Sequence, residues 1–89
     1  MAHTTRWTVD IFISEDEGGT RAEAWLHTGS ATHLSATGDA RLNPHDADVP
    51  EIGAELAVAR ALAALSNRLL HTAADDIEAV THEPVHLER

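Results

Sequence analysis

Between Ala40 and Leu62 the hydrophobic period of this chain changes from two to about 3.6, which constrains its fold more than any other feature. Ala40-Arg41-Leu42 closes a run of alternating residues, and Asn43 to Pro50 is punctuated by two prolines. From Ile52 onward apolar residues recur at helical spacing. A sheet therefore gives way to a helix at one joint, which is an α+β arrangement.

The segment upstream supplies the strands. In Trp7 to Ser14, residues Trp7, Val9, Ile11 and Ile13 share one face, and Thr8, Asp10, Phe12 and Ser14 share the other. Glu15-Asp16-Glu17-Gly18-Gly19 reads as a turn. Thr20 to Thr28 sorts Ala22, Ala24 and Leu26 from Arg21, Glu23, Trp25 and His27. After a second turn at residues 29–32, His33 to Leu42 places Leu34, Ala36, Gly38, Ala40 and Leu42 on its core face. Connections this short imply an antiparallel three-stranded β-meander packed on one long α-helix. Small residues dominate the core face of the second and third strands and invite a close helix approach. Trp7, Ile11, Ile13 and the helix are expected to supply the bulk.

The helix is expected from about Val49 to His71, with Asp48 as N-cap, Pro50 in the first turn and Glu51 near the positive end of the dipole. Its apolar residues span about half the circumference, more than one stripe needs. One arc, Ile52, Leu56, Ala59, Ala63 and Leu70, is assigned to the sheet. The other, Val58, Leu62, Leu65 and Leu69, is assigned to a second subunit. Beyond it, Asp75 to Val80 reads as a short second helix and Glu83 to Leu87 as extended, because Pro84 disfavours helix at Glu83. Ile77, Val80, Val85 and Leu87 are further candidate dimer contacts. The domain reading is a single unit over 1–89, with a flexible stretch at 1–5 and a C-terminal segment, 72–89, packing on a dimer partner.

Composition narrows the function. Six basic residues, all arginine, stand against fifteen acidic ones, a net charge of −9. That balance disfavours non-specific adhesion to nucleic acid or anionic membrane. Seven histidines would offset part of the charge below about pH 6.5. There is no cysteine, which excludes disulfides and thiolate metal sites. No apolar run approaches the roughly 20 residues of a membrane span, and the N-terminus lacks a signal-peptide core. A cytoplasmic protein with no membrane association is the expectation. A chain of 89 residues buries a modest core, so self-association is a natural supplement.

Several segments together resemble a known family. They are Trp7-Thr8-Val9-Asp10-Ile11, Ala40-Arg41-Leu42-Asn43-Pro44, Val49-Pro50-Glu51-Ile52-Gly53, Glu55-Leu56, Val58-Ala59-Arg60-Ala61-Leu62 and Asp76-Ile77-Glu78-Ala79-Val80-Thr81-His82. Over nearly its whole length the chain resembles a small actinobacterial family of unknown function described as double-stranded-RNA-binding-domain-like. The best-known members of that family are associated with hypoxia and dormancy. The resemblance implies a three-stranded sheet on a long helix and a homodimer completed by C-terminal segments. It also implies a likeness of that dimer to ribosome hibernation-promoting factors. It carries over no functional residues.

Two partner classes follow. The first is the ribosome or structured RNA, engaged by a non-enzymatic stress or dormancy protein. Phe12 and Trp25 on the outer sheet face, beside Arg21 and Arg41, offer stacking and phosphate contacts. Arg60 and Arg68 on the polar side of the helix extend that candidate surface. The second is an acidic protein-interaction or structural dimer that binds no nucleic acid. Asp10, Glu23 and Asp39 on the sheet face favour it, as do Asp46, Asp48, Glu51 and Glu55 at a helix start without lysine. Asn43 to Pro50 reads as a structural crossing more readily than as a recognition loop. Gly53, costing about 1 kcal/mol inside a helix, implies close packing. The pairs His82/His86 and His27/His33 lack the acidic partner of a metal motif. No glycine-rich phosphate loop, metalloprotease helix or serine elbow is present. The expectation is therefore no enzyme, no cofactor, no metal and no small-molecule substrate.

Overall fold

The alternating segments form β1 (Thr8–Asp16), β2 (Gly19–His27) and β3 (His33–Arg41), and one helix follows, α1 (Pro50–Thr81). The computed structural model describes residues 2–30, 33–41 and 50–87, the side chain of residue 50 excepted. The strands pair antiparallel in the order β1-β2-β3. Gly18, at φ 80°, takes the left-handed conformation that the tight β1–β2 turn demands. The Asp48 cap, Leu42 and the crossing through Asn43 to Val49 lie outside the described residues.

The register puts three rows on one face of the sheet: Val9, Leu26 and Leu34; Ile11, Ala24 and Ala36; Ile13, Ala22 and Gly38. α1 lies over β3 and β2 and barely touches β1. Side-chain size explains this off-centre seat. Alanine and glycine on β2 and β3 leave a shallow trough, whereas isoleucine and valine on β1 would hold a helix away. At Gly38 the approach is closest: a Cβ there would fall on the backbone of Ala57, Arg60 and Ala61. Gly53 plays the packing role expected of it, since a Cβ would sit 2.8 Å from the Thr20 hydroxyl.

The resulting core is Ala22, Ala24, Leu26, Ala36, Ala40, Ala57, Ala61 and Leu65, with Leu34, Val58, Ala64 and Leu69 packed against it. No large side chain among the described residues is fully buried. This corrects the expected source of core bulk. Trp7, Ile11 and Ile13 are exposed, because α1 does not cover β1. It also corrects the two helix arcs. Ala57, Ala61 and Leu65 meet the sheet, while Ile52, Leu56, Ala59 and Ala63 are exposed.

The expected break after His71 does not occur, and α1 runs 32 residues without interruption. Thr72-Ala73-Ala74 contains no glycine or proline, and the Thr72 hydroxyl donates to the Arg68 carbonyl at 3.0 Å within the helix. The helix stops at His82, which adopts φ 62° and donates its N–H to the Glu78 carbonyl at 2.7 Å. Thr81 reinforces the stop by donating to Ile77 O and accepting from Glu83 N–H. At about 48 Å, α1 overhangs strands of about 30 Å. The radius of gyration is accordingly 16.7 Å, well above the roughly 12 Å of a compact chain of this length.

Candidate functional site

The outer sheet face is built from residues alternating with the core. Asp10, Trp25 and Ser35 form one row, Phe12, Glu23 and Thr37 the next, and Ser14, Arg21 and Asp39 the third. Phe12 is 61% and Trp25 39% exposed, on neighbouring strands in adjacent rows, so an aromatic surface faces outward here. The Trp25 indole N–H donates to a Glu23 carboxylate oxygen at 3.1 Å, which fixes the ring's orientation. At the next row, His27 Nε2 lies 3.0 Å from Asp10 and the His27 ring meets His33 edge-to-face, with centroids 6.3 Å apart.

Asp39 organises the arginines. Arg21 Nε donates to its carboxylate at 3.0 Å. That hydrogen bond, then the charge of Asp39, raises the Arg21 pKa above its ordinary value. Arg60 Nη1 donates to the Asp39 backbone carbonyl at 2.7 Å. Arg41 is exposed at the end of β3, opposite Gly19. Arg68 is exposed on α1. The six candidate surface residues therefore do not form one patch: Phe12, Arg21, Trp25 and Arg41 belong to the sheet, Arg60 and Arg68 to the helix layer. Arg21 and Arg60 are both engaged by Asp39. Among the described residues no group of three or more His, Cys, Asp or Glu is placed to hold a metal ion.

A second surface lies on the opposite side of the sheet. At 100° per residue, Arg60 and the trio Val58, Leu62 and Leu69 fall on opposite flanks of α1. Arg60 reaches β3, so the trio lies on the flank of α1 toward β1, with Val58 and Leu69 partly buried against the core, Leu62 exposed, and Val9, Ile11 and Ile13 exposed on the strand. The result is an open apolar groove between strand and helix. Leu65 does not belong to it as a dimer contact. It is only 6% exposed and belongs to the core, because its position on α1 faces the sheet. Further along, Ile77 and Val80 stand exposed on the overhanging end of α1. Val85 and Leu87 line a depression with Leu70 and Ala74 of their own helix. The alternation pattern puts Trp7, Val9, Ile11 and Ile13 on one face and looks to Trp7, Ile11 and Ile13 for core bulk. The trough of small residues on β2 and β3 was the signal that the helix would sit beside them.

These features define a small α+β protein, a three-stranded meander carrying one off-centre, overhanging helix. The chain belongs to the Rv2632c-like family, whose model matches residues 5–86. It is 57% identical over 81 residues to uncharacterized protein Mb1767 of Mycobacterium bovis, covering 91% of this chain and 85% of that one. It is 46% identical over 77 residues to uncharacterized protein Rv2632c of Mycobacterium tuberculosis, covering 86% and 82%. The crystal structure of Rv2632c matches with a TM-score of 0.83 at 41% identity, over 93% of this chain and 98% of that one.

Proposed function

We propose that this chain is a non-enzymatic homodimer that docks other proteins through its acidic surface. The observation that carries the reading is the open groove between β1 and α1. Val9, Ile11 and Ile13 are exposed on β1 beside the flank of α1 that carries partly buried Val58 and Leu69 and exposed Leu62, in a chain whose core holds mostly alanine. A contiguous apolar surface of this kind marks an association site. A second copy suits it, because 89 residues alone bury too little bulk.

Protein rather than RNA is the favoured further partner. The net charge is −9, and Arg21 and Arg60 are both tied to Asp39. The opposing reading, engagement of the ribosome or structured RNA by a composite dimer surface, makes a different prediction in one experiment. Purified protein is co-sedimented with ribosomes over a series of salt concentrations. The proposal expects no association at any of them. Association that weakens steeply with added salt and is reproduced with protein-free ribosomal RNA would overturn it, because the slope reports charge contacts and the RNA identifies them as phosphate.

A further inference from the structure

The outer sheet face, opposite the groove, carries aromatic rings and carboxylates in one small area. We propose that Phe12, Trp25, Glu23 and Asp10 form a docking site for an arginine-rich segment of another protein. The inference rests on the protein-docking reading above and names the chemistry of the partner.

Three observations select that occupant. The two aromatic residues are exposed, Phe12 at 61% and Trp25 at 39%, on adjacent strands in diagonal register. Glu23 holds the Trp25 indole by its N–H, so the ring is oriented before anything binds, and a carboxylate stands at its edge. Asp10 stands directly across from Trp25, and Asp39 lies in the row beyond Glu23. A guanidinium satisfies both features at once, by stacking on an aromatic face and donating to a carboxylate. An anionic ligand would meet the Asp10, Glu23 and Asp39 carboxylates, of which Arg21 pairs with Asp39 and His27 with Asp10, on a chain of net charge −9. A purely apolar partner would have to desolvate those carboxylates without replacing their hydrogen bonds. Charge complementarity thus favours a cationic segment, and the rings favour arginine over lysine.

The test is a titration of fluorescein-labelled hexa-arginine, followed by anisotropy, with hexa-lysine and a single-stranded RNA 12-mer run in parallel. Hexa-arginine should bind more tightly than hexa-lysine, and the RNA should not bind. Trp25→Ala, Phe12→Thr and Glu23→Gln should each weaken hexa-arginine by about two- to five-fold. Glu17→Gln, the same charge change as Glu23→Gln but at the β1–β2 turn, should weaken it less. Amide chemical-shift changes on adding hexa-arginine should centre on β1 and β2, which keeps the test decisive if Trp25→Ala fails to fold. Equal losses from Glu17→Gln and Glu23→Gln, with none from Trp25→Ala and Phe12→Thr, would overturn the site in favour of diffuse charge attraction. Wild-type protein that dimerises, ignores ribosomes and ignores hexa-arginine would overturn this inference alone. Binding of the RNA 12-mer would overturn the protein-docking reading as well.

Discussion

Val9 and Leu26 stand directly opposite each other on the same face of the sheet, yet Leu26 is 6% exposed and Val9 39%. The boundary of the helix runs between them. On that face α1 buries Ala22, Ala24 and Leu26 of β2 and Ala36 and Ala40 of β3, while Val9, Ile11 and Ile13 of β1 stay exposed. The same boundary divides Leu65 from Leu62 on the helix.

That division predicts different outcomes for two neighbouring leucines. Leu65→Ala removes a buried side chain and should lower unfolding free energy by about 2–4 kcal/mol at any protein concentration. Leu62→Ala should cost little in dilute protein, but its effect should grow with concentration, because it weakens association rather than the core. Urea unfolding at two protein concentrations separates the two. Equal, concentration-independent losses would contradict the assignment.

Gly38 and Gly53 should respond unequally to the same change. At Gly38 an added Cβ meets helix backbone, which cannot rotate away, so Gly38→Ala should cost about 3 kcal/mol or more. At Gly53 the obstacle is the Thr20 hydroxyl, which can turn aside, and alanine gains about 1 kcal/mol of helix propensity. Gly53→Ala should therefore be close to neutral. Thermal and urea unfolding of the two variants read the contrast directly.

The continuity of α1 through Thr72 to Asp75 is testable in the same way. Ala73→Gly should cost about 1 kcal/mol and reduce helical circular dichroism, as glycine does in a helix interior. A linker between two helices would tolerate glycine without either change.

Arg60 joins the helix to the edge strand through the Asp39 carbonyl. Arg60→Ala should cost about 1 kcal/mol, less than a buried charged hydrogen bond because the site is exposed. Arg60→Lys should recover only part of it, since lysine must replace a planar fork with a single ammonium. Chemical denaturation of both variants measures the difference.

The sequence made the strands, their faces and the helix type legible, because periods of two and 3.6 report which side of an element is apolar. Gly53 was legible too, as an interior glycine with no other explanation. The location of the helix over the sheet was not. Periodicity says that Ile11 and Ala24 share a face, but not that a helix will choose alanine over isoleucine. The helix end was misplaced for a related reason: Asp75-Asp76 resembles an N-terminal turn, and only the absence of any breaker at Thr72-Ala73-Ala74 argues for continuation. The engagement of Arg21 and Arg60 by one aspartate depends on cross-strand and interlayer geometry that no local pattern carries.

The central claim, that a second copy covers the groove between β1 and α1, is tested most directly by sedimentation equilibrium of the wild-type chain and Ile11→Glu. Ile11 lies in the groove and outside the core cluster, so the charge should disrupt association and leave the meander–helix unit folded. The wild type should sediment at twice the chain mass of 9.6 kDa and Ile11→Glu at the single chain mass, with helical circular dichroism retained. A wild type that is monomeric at all concentrations, or an Ile11→Glu variant that dimerises with unchanged affinity, would contradict it.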